Sequence, residues 1–366
     1  MSDIDAQLKS ICKSFCISGD YVDSEELKIG NVNKTYKVTF CNLEGAFESY
    51  IVQAINGFAF HNPEQVMHNI DLVTKHIRSK ASEQSVPYFH HTAEQKPFMF
   101  DGERYWRACD YIPSHTFYTC DNGSIMRETG RAFGRFQRQL EDFDFSKLFE
   151  TIPNFHNTPK RLETLFANAK SDPCGLAKSV QPELNYIASV RDEACLLTQM
   201  LEDGKLPLRV THNDTKINNL LFDQNKHKVL AIVDLDTVMP GLVAHDFGDA
   251  IRYAANRVAE DSPDYEKAGC DLTMFRAFTE GFLSQTSAIL TETEIGTLAL
   301  SPFIMAVELA SRFLDDYLIG NRYFNINYPE HNLTRARCQL ALAHDLKQKQ
   351  PRMQAIVHEC LRLIER

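Results

Sequence analysis

The sequence has no CxxC pair. Its ten cysteines are scattered from Cys12 to Cys360, which argues against a zinc ribbon or a redox dithiol. The nearest two, Cys12 and Cys16, are four apart, as on one helix face. Free, buried thiols are the expectation. There is no excess of positive charge either. Asp and Glu outnumber Lys and Arg by 49 to 39, for a formal net charge of −10, so the long-range field repels nucleic acid and acidic membranes. An anionic ligand would need local help. No apolar run approaches the ~18 residues of a membrane helix. The opening MSDIDAQLKSICKSF carries acids where an export signal has a basic flank and an apolar core. The expectation is a cytoplasmic protein with neither nucleic acid nor membrane as a partner. Internal repeats and low-complexity linkers are also missing. What remains is an ordinary globular composition, 366 residues at 43% apolar. A chain of that length can bury about three quarters of its unfolded surface and form two domains or lobes.

Hydrophobic periodicity divides the chain. After a helix at 4–16, Tyr36, Val38 and Phe40 alternate in TYKVTF, and Tyr50-Ile51-Val52 follows the CNLEG turn, which reads as a hairpin. Val66, Ile70, Val73 and Ile77 recur at helical spacing. PFMF and RYWRACDYI flank an Asp101-Gly102 turn as two further strands. From about residue 123 the period changes, with Phe133, Phe136, Leu140 and Phe143 on one helical face. Helical patterns then dominate 181–203 and 267 to the end, around a strand-rich 206–234. The pattern predicts an α+β fold of two lobes, a small N-terminal sheet lobe at 1–112 and a larger, mainly helical lobe at 113–366. A cleft between lobes is a common ligand site.

The polar stretch THNDTKINNLLFD, residues 211–223, stands between two apolar runs. Leu220 to Phe222 and Val229 to Val233, joined by a polar turn, should pair antiparallel. Asn219 and Asp234 then meet at one end of that hairpin, where the loop carrying His212, Asp214 and Lys216 enters. An amide oxygen and a carboxylate together make a hard-oxygen site of the kind Mg²⁺ accepts. Asp214 is placed to take a proton from an attacking hydroxyl. Lys216 supplies a cation beside transferred phosphate. Taken singly, Asp and Asn in loops make turns and caps, a lone lysine is solvated, and His212 reads as a structural histidine bonded to backbone. The joint spacing H-x-D-x-K-x-x-N, a hairpin, then D-x-D, points instead to phosphoryl transfer.

HNDTKINN resembles the catalytic loop of the protein-kinase-like superfamily, and VDLD its metal-binding segment, without the phenylalanine and glycine of protein kinases. The form is similar to the aminoglycoside phosphotransferase and choline kinase branch. Within it, LRVTHNDTKINNLLFD, IVDLDTVMPG, DFGDAIRY, FRAFTEGF, RFLDDYL and YPEHNLTRAR resemble the N-acetylhexosamine 1-kinase family nearly end to end. The resemblance implies a two-lobed kinase-like fold, ATP and Mg²⁺, and phosphorylation of the anomeric hydroxyl of GlcNAc or GalNAc. It implies Asp214 as base, Asn219 and Asp234 as metal ligands, Lys216 facing the phosphoryl group, and Asp246 bracing the catalytic loop, a role compatible with capping the next helix. Arg312 and Tyr323, with Asp234 shared, would contact the sugar, and Tyr253 would lie near its acetamido group.

The corresponding nucleotide loop is KIGNVNKTYKV. Gly30 supplies flexible backbone there, and Asn31 and Asn33 tolerate a left-handed turn. Related sugar kinases can carry histidine at the position of Asn31, which therefore bears on the sugar's 2-substituent. The strand lysine that grips the α- and β-phosphates in protein kinases is missing, because YIVQAIN places Gln53 there. Backbone amides, Mg²⁺ and Lys34 or Lys216 would then hold the phosphates. Two rivals follow: a kinase-like binding protein without activity, and a kinase for another small alcohol, such as an aminoglycoside or choline.

Overall fold

The computed structural model describes residues 3–27, 33–57, 60–80 and 85–364. A five-stranded antiparallel sheet in the order β1-β2-β3-β5-β4 builds the small lobe, from β1 (Asp20–Leu27), β2 (Lys34–Cys41), β3 (Phe47–Ile55), β4 (Met99–Phe100) and β5 (Tyr105–Asp110). Strand alternation gives this sheet two different faces. On one, Tyr36, Val38, Phe40, Tyr50, Val52, Trp106 and Ala108 are buried against Leu8, Ile11 and Cys12 of α1 (Asp3–Ser14). On the other, Ile55 and Cys109 pack toward Val66, Ile70, Val73 and Ile77 of α2 (Pro63–Lys80) and so join the main core. The Asp101 carboxylate caps its own turn by accepting the N–H groups of Glu103 and Arg104.

The helix expected at 4–16 ends earlier, at Ser14. Cys16 lies beyond it, exposed and with φ of 59°, so it does not share a buried helix face with Cys12. The ten cysteines are all free, five of them buried.

The large lobe is mainly helical. α3 (Gly123–Gln139) starts at Asn122, whose side chain accepts the N–H groups of Ser124 and Ile125. The segment 158–202 holds α4 (Thr158–Ser171) and three short helices, α5 (Gln181–Ser189), α6 (Arg191–Ala194) and α7 (Leu196–Glu202). Two small hairpin-like pairs follow, β6 (Arg209–Thr211) with β9 (Met239–Gly241), and β7 (Leu220–Phe222) with β8 (Val229–Ile232). α8 (Val243–Ala254), α9 (Leu272–Thr286), α10 (Glu292–Thr297), α11 (Ser301–Leu318) and α12 (His331–Ile364) complete the lobe.

α3 and α9 cross so closely that glycine is needed at the contact. A Cβ on Gly130 would lie 2.1 Å from the carbonyl oxygen of Phe278, and one on Gly281 would lie 1.9 Å from that of Arg127. The close crossing lays the apolar face of α3 beneath the 211–219 loop, where Phe133 and Phe136 stand edge-on to the His212 ring at centroid distances of 6.0 and 5.9 Å.

Candidate active site

The β7–β8 hairpin pairs Leu220 with Ile232 and brings its two ends together. Val233 N–H donates to the carbonyl of Asn219 at 2.9 Å, so Asn219 and Asp234 flank one end of the hairpin. The loop from His212 enters at that end. His212 Nε2 lies 3.0 Å from the Val233 carbonyl, and its Nδ1 accepts the N–H of Asp214 at 3.3 Å. That pattern makes Nε2 the protonated nitrogen and gives the histidine a structural task.

The 211–215 backbone is suspended from α8. Asp246 accepts the N–H of His212 at 2.9 Å and of Asn213 at 2.7 Å, together with the Gln137 amide at 2.8 Å. Thr215 N–H reaches Asp249 at 3.1 Å. Burial raises the pKa of Asp246, opposed by these bonds and by His212. Asn213 takes φ of 64°, which asparagine tolerates, and its amide donates to the Thr237 carbonyl at 2.9 Å.

Within this frame the candidate side chains converge. Asn219 Nδ2 donates to both the carbonyl and the carboxylate of Asp214, at 2.8 and 3.0 Å. Lys216 Nζ is 3.0 Å from the other carboxylate oxygen of Asp214. Burial would raise the Asp214 pKa, but Lys216 and His212 outweigh it and hold the group ionised below its usual range. Burial opposes the charge on Lys216, and Asp214 more than restores it.

Asp234 sits at φ of 59°, ψ of 54°, with its carboxylate open to the cleft. Crowding by surrounding protein pushes its pKa up, and repulsion from Asp236 and Asp214 adds to this, to about 6. Among the described residues neither the Asp234 carboxylate nor Asn219 Oδ1 makes a hydrogen bond or ion pair. No group of three or more His, Cys, Asp or Glu side chains able to hold a metal occurs among the described residues. An uncommitted amide oxygen beside an unpaired carboxylate instead fits a cation whose other ligands are water and phosphate.

The sheet lobe reaches the same place along a polar row of which sequence reasoning named only Gln53. Thr35, Gln53 and Arg107 are cross-strand neighbours on β2, β3 and β5. Gln53 Nε2 donates to Thr35 Oγ1 at 2.9 Å, and Arg107 Nε donates to Gln53 Oε1 at 2.9 Å. The Arg107 guanidinium then forms a two-pronged ion pair with Asp236, Nη1 to Oδ1 and Nη2 to Oδ2 at 3.1 Å. Asn33 Nδ2 donates to the same carboxylate at 2.6 Å. Lys34 does not join this row, since it shares the opposite sheet face with Tyr36 and is exposed. Gly30 and Asn31 lie outside the described residues. The available signals were a lone arginine in the apolar strand YWRACD and the second acid of VDLD.

Tyr253, on α8, is half-buried, and its pKa is raised by burial and then by Glu260, while Lys216 and Asp214 also act on it. Arg312, on α11, lies between the rings of Phe155 and Phe324, at 5.1 and 5.7 Å from their centroids. Tyr323 is 54% exposed and packs edge-on to Phe324 at 4.8 Å. These rings connect to the 211–215 loop through His156, whose Nε2 is 3.3 Å from the Asn213 carbonyl and whose Nδ1 is 2.8 Å from Glu308. Arg161 lies nearby, with its pKa lowered by burial and by the charge of Arg312.

Residues 24–280 match the model of the phosphotransferase enzyme family. Among solved structures, the chain is similar to a microcompartment-associated aminopropanol kinase, at 13% identity and a TM-score of 0.62, over 95% of this chain and 98% of that one. It is similar to choline kinase from Cryptosporidium parvum Iowa II at 14% identity and a TM-score of 0.61, over the whole of both chains. A spectinomycin phosphotransferase solved with ADP and spectinomycin gives 14% identity and a TM-score of 0.59, over 94% of this chain and 98% of that one. These structural likenesses show a shared fold.

Proposed function

We propose, on the premise that this chain belongs to the phosphotransferase enzyme family, that it transfers the γ-phosphoryl group of ATP to the anomeric hydroxyl of an N-acetylhexosamine, GlcNAc or GalNAc. The observation that carries the reading is the convergence of Asp214, Lys216, Asn219 and Asp234 at one end of the β7–β8 hairpin. In the proposed mechanism, Asp214 accepts the proton of the sugar hydroxyl as it attacks in line. Asn219 keeps the Asp214 carboxylate turned toward the acceptor, and its own Oδ1 would join Asp234 in holding Mg²⁺. That ion would supply charge neutralisation to the phosphates. Lys216 is released from Asp214 as phosphate charge arrives, and it stabilises that charge in the transition state. Residues 1–112 would carry the nucleotide and residues 113–366 the sugar.

The acceptor side supports an uncharged substrate. Arg312 rests on two aromatic rings and has no carboxylate partner among the described residues. The acids around it are already engaged: Glu308 with His156 and Thr158, Asp315 with Asn168, and Asp316 with the N–H groups of Arg322 and Tyr323. A cationic alcohol would need free acids there. A sugar suits a guanidinium donor beside flat aromatic surfaces.

The test is ADP release with Mg²⁺-ATP against GlcNAc, GalNAc, glucose, choline, aminopropanol and spectinomycin, with the product assigned by phosphorus NMR. An anomeric phosphate on the acetamido sugars alone is the expected result. Turnover of the cationic alcohols and not of the sugars would overturn the substrate assignment.

A further inference from the structure

In protein kinases a strand lysine is aligned by a glutamate from the neighbouring helix. Both halves are missing here. β3 carries Gln53 at the lysine position, and the acids of α2, Glu64 and Asp71, are held elsewhere by Tyr105 and by His91 with Lys75. A different cation occupies the space. Arg107 is the direct cross-strand neighbour of Gln53 on the next strand, so the two side chains share the cleft-facing side of the sheet. Its guanidinium is almost fully buried, at 4% side-chain exposure, and grips an equally buried Asp236.

The consequence lies two residues upstream. Asp234 stands in the left-handed region at φ of 59°. An aspartate holds such a backbone only where its neighbours overdetermine it. Those neighbours are tied on every side. Val233 is bound to Asn219 and His212, Thr237 to His212 and Asn213, and the Val238 carbonyl to the Asn69 amide of α2. Asp236 is the tie to the sheet, receiving Arg107 and, from the edge of the nucleotide loop, Asn33.

We infer that Arg107 stands in for the missing strand lysine as a positioning residue, and that its two-pronged grip on Asp236 locks the nucleotide-binding sheet to the metal loop and aims Asp234 at the cation. The inference rests on the phosphotransferase reading of the site. Because the guanidinium is buried and its three nitrogens are taken by Gln53 and Asp236, Arg107 acts through Asp236. The row Thr35–Gln53–Arg107–Asp236 then carries the alignment that a lysine–glutamate pair carries elsewhere, across the sheet and not through a helix.

The experiment compares ATP binding with Mg²⁺ and with EDTA by titration calorimetry, and turnover beside it, in wild type, R107K and the double variant R107M/D236L. Replacing a buried ion pair by apolar residues of similar volume generally preserves folding, and R107K retains a buried cation, so one or both variants report. Near-UV circular dichroism and the melting temperature verify the fold. The expected result is unchanged metal-free ATP binding, with the Mg²⁺-dependent gain in affinity reduced at least tenfold in the double variant and less in R107K. A purely structural pair would lower the melting temperature without moving that ratio. A folded double variant, or a folded R107K, that keeps the full Mg²⁺ gain and the wild-type kcat overturns the inference while leaving the activity intact. Wild type that shows neither a Mg²⁺ gain nor turnover overturns the underlying functional reading, and the inference with it.

Discussion

Asn219 holds Asp214 by two bonds from one amide, at 2.8 Å to its carbonyl and 3.0 Å to its carboxylate. The candidate base is thus fixed by the same side chain that offers its other atom, Oδ1, to a cation. A base at Asp214 and a cation at Asn219 would then be held in one geometry, which suits a reaction governed by positioning.

Asp214→Asn keeps that amide contact and removes the proton acceptor. Its kcat should fall by about 10²- to 10⁴-fold, with Mg²⁺-ATP affinity retained. Steady-state kinetics beside calorimetric titration check the split. Unchanged kcat would remove Asp214 from the role.

Arg312→Met keeps much of the stem that packs between Phe155 and Phe324 and removes the donors. The KM for the sugar should rise on the order of tenfold, a loss of roughly 1.4 kcal/mol in binding, while the KM for ATP stays constant. Equal changes in both would place Arg312 outside the acceptor site.

Asp246→Ala leaves the buried N–H groups of His212 and Asn213 without an acceptor. Each orphaned donor costs about 1–3 kcal/mol, so urea unfolding should show a loss of roughly 2–6 kcal/mol. Asp246→Asn, which keeps one acceptor oxygen, should lose less. Equal stability in the two would contradict the suspension of the loop from α8.

Two glycines in helices should respond in opposite directions to alanine. Gly130→Ala drives a methyl to 2.1 Å from the Phe278 carbonyl and should destabilise by about 1–3 kcal/mol through the α3–α9 crossing. Gly296, in α10, has nothing within 4 Å of its Cβ position, and there alanine should stabilise by about 0.5–1 kcal/mol. Thermal and urea melts of both variants distinguish a packing glycine from an idle one.

His245 is buried with neither ring nitrogen bonded, and burial, followed by repulsion from His156, brings its pKa down from 6.5 to about 3. The unfolded chain therefore binds the extra proton first. Stability is intact above about pH 6.5 and falls as the pH drops toward 3, by at most about 1.4 kcal/mol per pH unit. Glu308 adds a lower window. Burial would raise it, but pairing with His156 brings it down to about 2, so its contribution is lost as the pH falls from about 4.5 toward 2. Urea unfolding at pH 7, 6 and 5 should show a slope in wild type that is flattened in His245→Leu. The same slope in the variant would assign the loss to other groups.

The linear chain by itself determined the two-lobed architecture, because strand alternation and helical period are local properties that burial then enforces. Val66, Ile70, Val73 and Ile77 face the core at the spacing their positions require. The sequence also put Asp214, Lys216 and Asn219 in one loop, and a short hairpin sufficed to bring Asp234 to them. Only tertiary structure decided which face of the sheet each polar side chain takes, turning Gln53 to the cleft and Lys34 away from it. It also decided the pairing of Arg107 with Asp236, 129 positions apart, and the aromatic cradle of Arg312. Such contacts carry no local period. They arise because a buried charge must find an opposite charge or an aromatic surface wherever the packed lobes present one.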